Sequence, residues 1–204
     1  MKILSSAFIL FLFSSIALAQ ISKEKIDSTL ISKGINLKTN GYIITSQYTS
    51  KNNGVTYIFL RQTVNYLEIY NANSALHFDK NLQLISFNNS FVNNASDILE
   101  KYRIIISYTQ AITTVAKQLG KKVIFPKVKK SNTSNEFTII DKKASSKEIK
   151  AKLFYFFKNN RLYKVWNVEF YNDKTGDWWN KRVDAKYGKV IDENNWKNEF
   201  ETIK

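Results

Sequence analysis

The sequence predicts an α+β protein of two lobes, each an antiparallel sheet packed with one helix. Three observations predict it. Two stretches of helical periodicity, near the start and from Ser107, are each followed by period-two alternation. Turn signals built from Asn, Asp and Gly punctuate both alternating regions. A polar stretch from Asn88 to Arg103 separates them. Apolar residues make up 44% of the chain and aromatics 14%, which is enough for a core and excludes wholesale disorder.

Taken in order, residues 1–19 read as an export signal. Lys2 is a short positive region, Ile3 to Phe13 is apolar apart from Ser5 and Ser6, and Ala17-Leu18-Ala19 offers small residues for cleavage before Gln20. A membrane anchor is the weaker reading, because Ser14 and Ser15 interrupt the run and no basic cluster follows closely. The expected product is secreted or periplasmic, with no membrane anchor after cleavage.

Ser22 to Lys33 is predicted as a helix. Ile26 and Leu30 share a face, with Ile31 at its edge, Ser22 caps the start and Gly34 ends it. From Gly41 the period becomes two. Strands are expected at Gly41 to Gln47, Val55 to Gln62, Glu68 to Tyr70, Ala75 to Asp79 and Leu82 to Phe87, with turns at Lys51 to Gly54 and Asp79 to Asn81. The second lobe opens on a helix from Ser107, where Ala111, Ile112, Val115, Ala116 and Leu119 fall at helical spacing before Gly120. Lys127 to Asn135 reads as an exposed loop. Strands follow at Lys152 to Phe157 and Leu162 to Tyr171, joined by a turn at Lys158 to Arg161, then at Trp178 to Ala185 and Lys189 to Ile191.

Composition excludes several chemistries. The chain has no Cys and one His, His77, so Cys-based metal sites and thiol nucleophiles are out. A zinc site of the His-Glu-x-x-His type needs two imidazoles one helical turn apart. No Gly-x-Ser-x-Gly, phosphate-cradling Gly loop or dinucleotide fingerprint is present. No catalytic residue, metal ligand or cofactor is predicted, and the alternation around His77 makes it an ordinary sheet residue. The formal charge is +14, densest between Lys117 and Lys152. In an exported chain this reads as a solvated face or as a surface complementary to an acidic protein or anionic glycan, not as a nucleic-acid site. Asn88, Asn94 and Asn132 begin glycosylation-type triplets that read as chance in so Asn-rich a chain.

The stretch from Val55-Thr56-Tyr57-Ile58-Phe59-Leu60-Arg61-Gln62-Thr63 through Asn65, Glu68 to Ala72, His77 to Lys80 and Asn89-Ser90-Phe91 resembles the fungalysin/thermolysin propeptide (FTP) domain. Further on, Leu153 to Phe156, Val165-Trp166-Asn167-Val168, Asp177 to Asn180, Arg182 to Ala185, Gly188 to Val190 and Asn194-Asn195-Trp196 resemble the PepSY-like half of the propeptides of fungalysin-type (M36) metallopeptidases. The resemblance implies an FTP-like domain at 20–91, a connector at 92–106, a PepSY-like (cystatin-like) domain at 107–196 and a tail at 197–204. Two departures stand out. Tyr66 occupies a position where the family usually carries Gly, which weakens the turn match, and Asn81 stands where Gly is common, a mild change because Asn tolerates the left-handed conformation expected there. The zinc domain that follows the Asn-Asn-Trp step in the family is not seen in residues 197–204.

What the resemblance implies is a non-catalytic protein that covers or helps fold a zinc metalloendopeptidase catalytic domain. The alternative is a stand-alone binding module for peptides or envelope polymers. Lys186 to Phe200 is the expected groove-occupying segment. The candidate partner-interface residues are Trp178, Trp179, Arg182, Asp184, Asn194, Asn195 and Trp196. Adjacent Trp178 and Trp179 must face opposite ways, so one is expected in the core and one outside. Arg182 and Asp184 share a face, where a surface ion pair or a turn hydrogen bond is the plainer reading.

Overall fold

The computed structural model describes residues 20–101, 103–131 and 135–197. The export segment at 1–19, Asn132 and the tail from residue 198 lie outside the described residues. Helix α1 (Lys23–Ser32) starts where the Ser22 hydroxyl accepts the Lys25 N–H at 3.3 Å. It buries Ile26, Thr29 and Leu30, turns Ile31 to solvent rather than to the apolar face, and gives way to Gly34 at φ 82°. Helix α2 (Tyr108–Gln118) starts with a reciprocal cap: Ser107 Oγ accepts the Gln110 N–H, and Gln110 Oε1 accepts the Ser107 N–H. Such a cap stabilises by about 1 kcal/mol. Ala111, Ile112, Val115 and Ala116 face inward.

Ten strands are present among the described residues. They are β1 (Gly41–Thr49), β2 (Thr56–Val64), β3 (Leu67–Phe78), β4 (Leu84–Asn89), β5 (Val128–Lys130), β6 (Glu136–Ile139), β7 (Ile149–Lys158), β8 (Arg161–Asn172), β9 (Asp177–Asp184) and β10 (Val190–Asn195). The result is an α+β fold, mostly sheet, with two helices among the described residues. The hydrogen-bonded path runs β1-β2-β3-β7-β8-β9-β10, with β4 on β3 and β6 joining β5 to β7.

Three expectations need correction. The two short strands expected at 68–70 and 75–79 are one twelve-residue strand, β3. Asn71 sits in the left-handed region at φ 59°, a bulge that kinks the strand without ending it. The kink lets the two halves of β3 serve different neighbours. One pairs with β4, and the other meets β7 in parallel at Ile69 opposite Tyr155. The two regions are therefore joined through one shared strand. The expected loop at 127–135 contains β5, which forms a hairpin with β6 in the register Val128–Ile139. In the Asp79 turn, the left-handed residue is Leu82 (φ 59°), not Asn81; the Asp79 carboxylate accepts the N–H groups of Asn81 and Gln83.

Three apolar clusters hold the fold. Ile26 and Leu30 of α1 pack on Ile58, Leu60, Leu76 and Phe78. Ile112 and Val115 of α2 pack on Ile149, Leu153, Val168, Phe170 and Val183. Val64, Ile69, Ala72, Tyr155 and Leu162 fill the junction, together with Ala95 from the connector. The connector is tied down by fully buried Gln62. Its Nε2 donates to the Val92 carbonyl and its Oε1 accepts the Val92 N–H, both at 2.7 Å, while Nε2 also reaches Asn40 Oδ1 at 2.6 Å.

Candidate interaction surface

Strand alternation sorts every side chain in the sheet to one of two faces. In β7, Ile149, Ala151, Leu153 and Tyr155 point toward the helix-covered clusters. Lys150, Lys152, Phe154 and Phe156 therefore point the other way. In β3 the bulge at Asn71 resets the parity. Leu67 and Ile69 before it share a face with Ala72, Leu76 and Phe78 after it, while Glu68 and Tyr70 share the opposite face with Asn73 and His77. Both helices thus lie on one side of the sheet. Among the described residues, no helix covers the other side.

A half-solvated antiparallel sheet ordinarily shows polar residues on its open face. This one shows rings. Over β1 to β3, Tyr48 stacks on Tyr57 at 5.1 Å and Tyr57 meets His77 at 4.6 Å. Across the β3–β7 junction, Tyr70 stacks on Phe154 at 5.2 Å and 11°. At the far end, Trp178 lies 6.0 Å from Tyr171 and 5.6 Å from Trp196.

Charged groups between these rings are paired. Glu68 accepts from both Arg61 and Lys152 at 2.6 Å. Burial alone would raise its pKa, but the hydrogen bonds from Lys152 and Arg61 outweigh that and hold the carboxyl below its ordinary value. Arg182 lies over Tyr70 (5.2 Å) and Phe156 (5.7 Å), donates to Asn194 Oδ1 at 2.8 Å and pairs with Asp192. A trough of about 310 Å³ opens beside these groups, lined by residues including Glu68, Tyr70, Glu136, Phe154, Glu169 and Trp196. Burial pushes the Glu169 carboxyl up from its ordinary pKa.

The residues singled out from the sequence divide by face. Register pairs Arg182 with Asn167 and Asp192, Asn180 with Asn194, and Tyr171 with Trp178. Trp178, Arg182, Asp184 and Asn194 therefore share the uncovered face, and Trp196 joins them by its contact with Trp178. Trp178 is exposed and Trp196 half-buried, but Arg182 is 3% and Asp184 4% exposed. Asp184 accepts the N–H groups of Lys186 and Tyr187 and so caps a turn. Trp179 is on the helix side, half-buried, with Lys181 Nζ 4.5 Å above its ring. Asn195 bridges Asp177 and the Trp178 N–H. His77 is in the sheet against Tyr57.

Sequence reasoning missed Glu68, Tyr70, Phe154, Asn167, Glu169 and Asn180 as surface formers. The alternation of Lys152, Phe154 and Phe156 was visible. Their union with Tyr70 depends on the β3–β7 pairing, which no local pattern announces. Of the basic stretch, Lys152 is spent on Glu68 and Lys129 lies 3.9 Å from Glu148. Among the described residues, no group of three or more His, Asp or Glu is placed to hold a metal ion. No described helix is long and apolar enough to cross a membrane.

Residues 40–91 match the Fungalysin/Thermolysin Propeptide Motif. The chain is also 30% identical over 145 residues to the extracellular metalloproteinase mep of Aspergillus terreus, a match covering 68% of this chain and 22% of the relative. It thus spans about a fifth of that protease. A structural likeness to the Bacillus megaterium YpeB C-terminal domain covers 86% of this chain and 66% of that one, at a TM-score of 0.32 and 14% identity.

Proposed function

We propose that this is an exported, non-catalytic, propeptide-like protein. It docks on the catalytic domain of a fungalysin-type zinc metalloendopeptidase and inhibits it, assists its folding, or both. The observation that carries this reading is the propeptide motif over residues 40–91, which coincides with strands β1 to β4. The partial match to an extracellular metalloproteinase supports the partner class and an extracytoplasmic location. In this reading 20–91 is the FTP-like lobe, 92–106 the connector and 107–196 the PepSY-like lobe.

Docking is assigned to the uncovered face. Aromatic side chains supply large contact area at little entropy cost and are enriched where binding energy concentrates. Trp178 and Trp196 are the anchors. Buried Arg182 and Asp184 support the strand and turn that present them. A folding helper needs only to bind native-like states of its client better than unfolded ones, which shifts the equilibrium by mass action.

The test mixes the purified protein with an active thermolysin- or fungalysin-type catalytic domain and follows peptide cleavage and refolding yield. Dose-dependent inhibition or a higher refolding yield is expected. No effect on either at micromolar concentration would sink the reading. The alternative, a stand-alone module for peptides or envelope polymers, draws on the trough between β3 and β9, which is shaped to hold a small group.

A further inference from the structure

The trough on the uncovered face contains polar atoms that the fold leaves without partners. Asn167 is 6% exposed and Asn180 is 3% exposed, and both line the cavity. The side-chain oxygens of both are buried and accept no hydrogen bond. A buried acceptor without a donor costs about 1–3 kcal/mol, so a site that keeps two of them at diagonal positions on adjacent strands is incomplete. Both lie on neighbouring strands, with Glu169 directly opposite Asn180 in register.

A group that completes these two oxygens must donate hydrogen bonds; Arg182 Nε, opposite Asn167 in register, is a buried donor likewise left without an acceptor. Three carboxylates, Glu68, Glu136 and Glu169, line the trough against two cations, Arg61 and Lys152. Both cations are already tied to Glu68. The lining thus carries one carboxylate in excess, with Lys150 opposite Glu169 and Lys152 opposite Glu136 in register. Arg182, alongside, is neutralised by Asp192. Of the wall rings, Tyr70 and Phe154 stack on each other and Arg182 lies over Tyr70, which leaves Trp196 as the ring face for a cation.

A metal ion fits poorly, since the carboxylates are not clustered for one. A planar guanidinium fits well. It offers several N–H donors in a fixed fork, pairs with carboxylate and stacks on aromatic rings. A volume of about 310 Å³ admits the end of one long side chain with room for its stem.

We propose that this trough is a receptor for an arginine side chain of the docking partner, with Asn167, Asn180 and Glu169 accepting its N–H groups and Trp196 covering its plane. This names the recognition element at the face assigned above to docking, and it rests on that reading for its biological occupant. The test needs no partner, so the two fail separately.

The probes are N-acetyl-arginine amide, N-acetyl-lysine amide and N-acetyl-glutamine amide. Each is titrated into the protein while the Asn side-chain amide NMR signals and tryptophan fluorescence are followed. The arginine probe is expected to give saturable shifts at Asn167 and Asn180, stronger than the lysine probe, with no saturation by the glutamine probe. Glu169→Gln removes a charge-assisted bond and should weaken the arginine probe about tenfold. Trp196→Ala, at the rim, should weaken it with the native fold intact. Absence of saturable shifts with the arginine probe, equal binding of the glutamine or lysine probe, or Glu169→Gln and Trp196→Ala binding like wild type would overturn the assignment.

Discussion

The two faces of this sheet are built to different rules. On the helix side, Phe170, Val168, Ile149 and Ile112 are fully buried and nearly all apolar. Such packing stabilises in proportion to the area removed from water and leaves nothing to bind. The uncovered side carries Tyr48, Tyr57, Tyr70, Phe154, Trp178 and Trp196, with charges paired among them and amide oxygens left open. The contrast teaches that an apolar core holds the fold from one side, while rings, ion pairs and amides make up the other. Substitutions should accordingly split into those that unfold the protein and those that only disarm it.

The sharpest way to break this division is at the core. Phe170→Ala should destabilise by about 3–5 kcal/mol, read as a drop in the denaturation midpoint. A comparable loss from a variant of the exposed aromatics would erase the distinction. Next is Gln62→Ala, which orphans both backbone groups of Val92 and should cost about 2–3 kcal/mol. It should also loosen the connector, visible as faster amide exchange at Val92 and Ala95.

Glu68→Gln should have a smaller effect, on the order of 1–2 kcal/mol at neutral pH, since Glu68 is only partly buried between its two cations. The sign with pH is fixed by its depressed pKa. The contribution is present above the unfolded-state value of about 4.3 and is lost as pH falls through the lower folded value. Wild type and variant should therefore converge in acid. Divergence there would mean that Glu68 is not the titrating partner.

The smallest effect should come from a turn. Asn65 and Tyr66 form the two-residue link between β2 and β3 at φ 46° and 64°, and Tyr66 is fully exposed. Asn159 and Asn160 do the same between β7 and β8 at φ 50° and 57°. Asn tolerates the left-handed region, whereas Tyr is strained there. Tyr66→Gly should raise stability by up to about 1 kcal/mol, while Asn160→Gly should change it little.

Much of the fold is legible in local pattern. Ser22 and Ser107 mark both helix starts, and the helical spacing of Ala111, Ile112 and Val115 marks the face that is buried. Lys158 to Arg161 reads as a turn and is one. What local pattern does not carry is long-range pairing. The β3–β7 contact at Ile69 and Tyr155 joins residues far apart in sequence, and the Asn71 bulge that permits it looks like a strand break. The same reason hid half of the surface. Trp178 and Trp196 stand out by residue type, but Tyr70 and Glu68 join them only once the two regions share a strand. Arg182 and Asp184 were singled out by type, and neighbouring strands and turns bury both.

The most direct measurement compares inhibition of a thermolysin- or fungalysin-type catalytic domain by three proteins: wild type, the Trp178→Ala/Trp196→Ala double variant, and Ile31→Ala on the solvent side of α1. Thermal midpoints are recorded alongside. If the uncovered face docks the partner, wild type and Ile31→Ala inhibit equally, and the double variant keeps its fold while losing affinity about tenfold or more. Equal inhibition by all three would contradict it, as would a wild type that changes neither cleavage nor refolding yield at micromolar concentration.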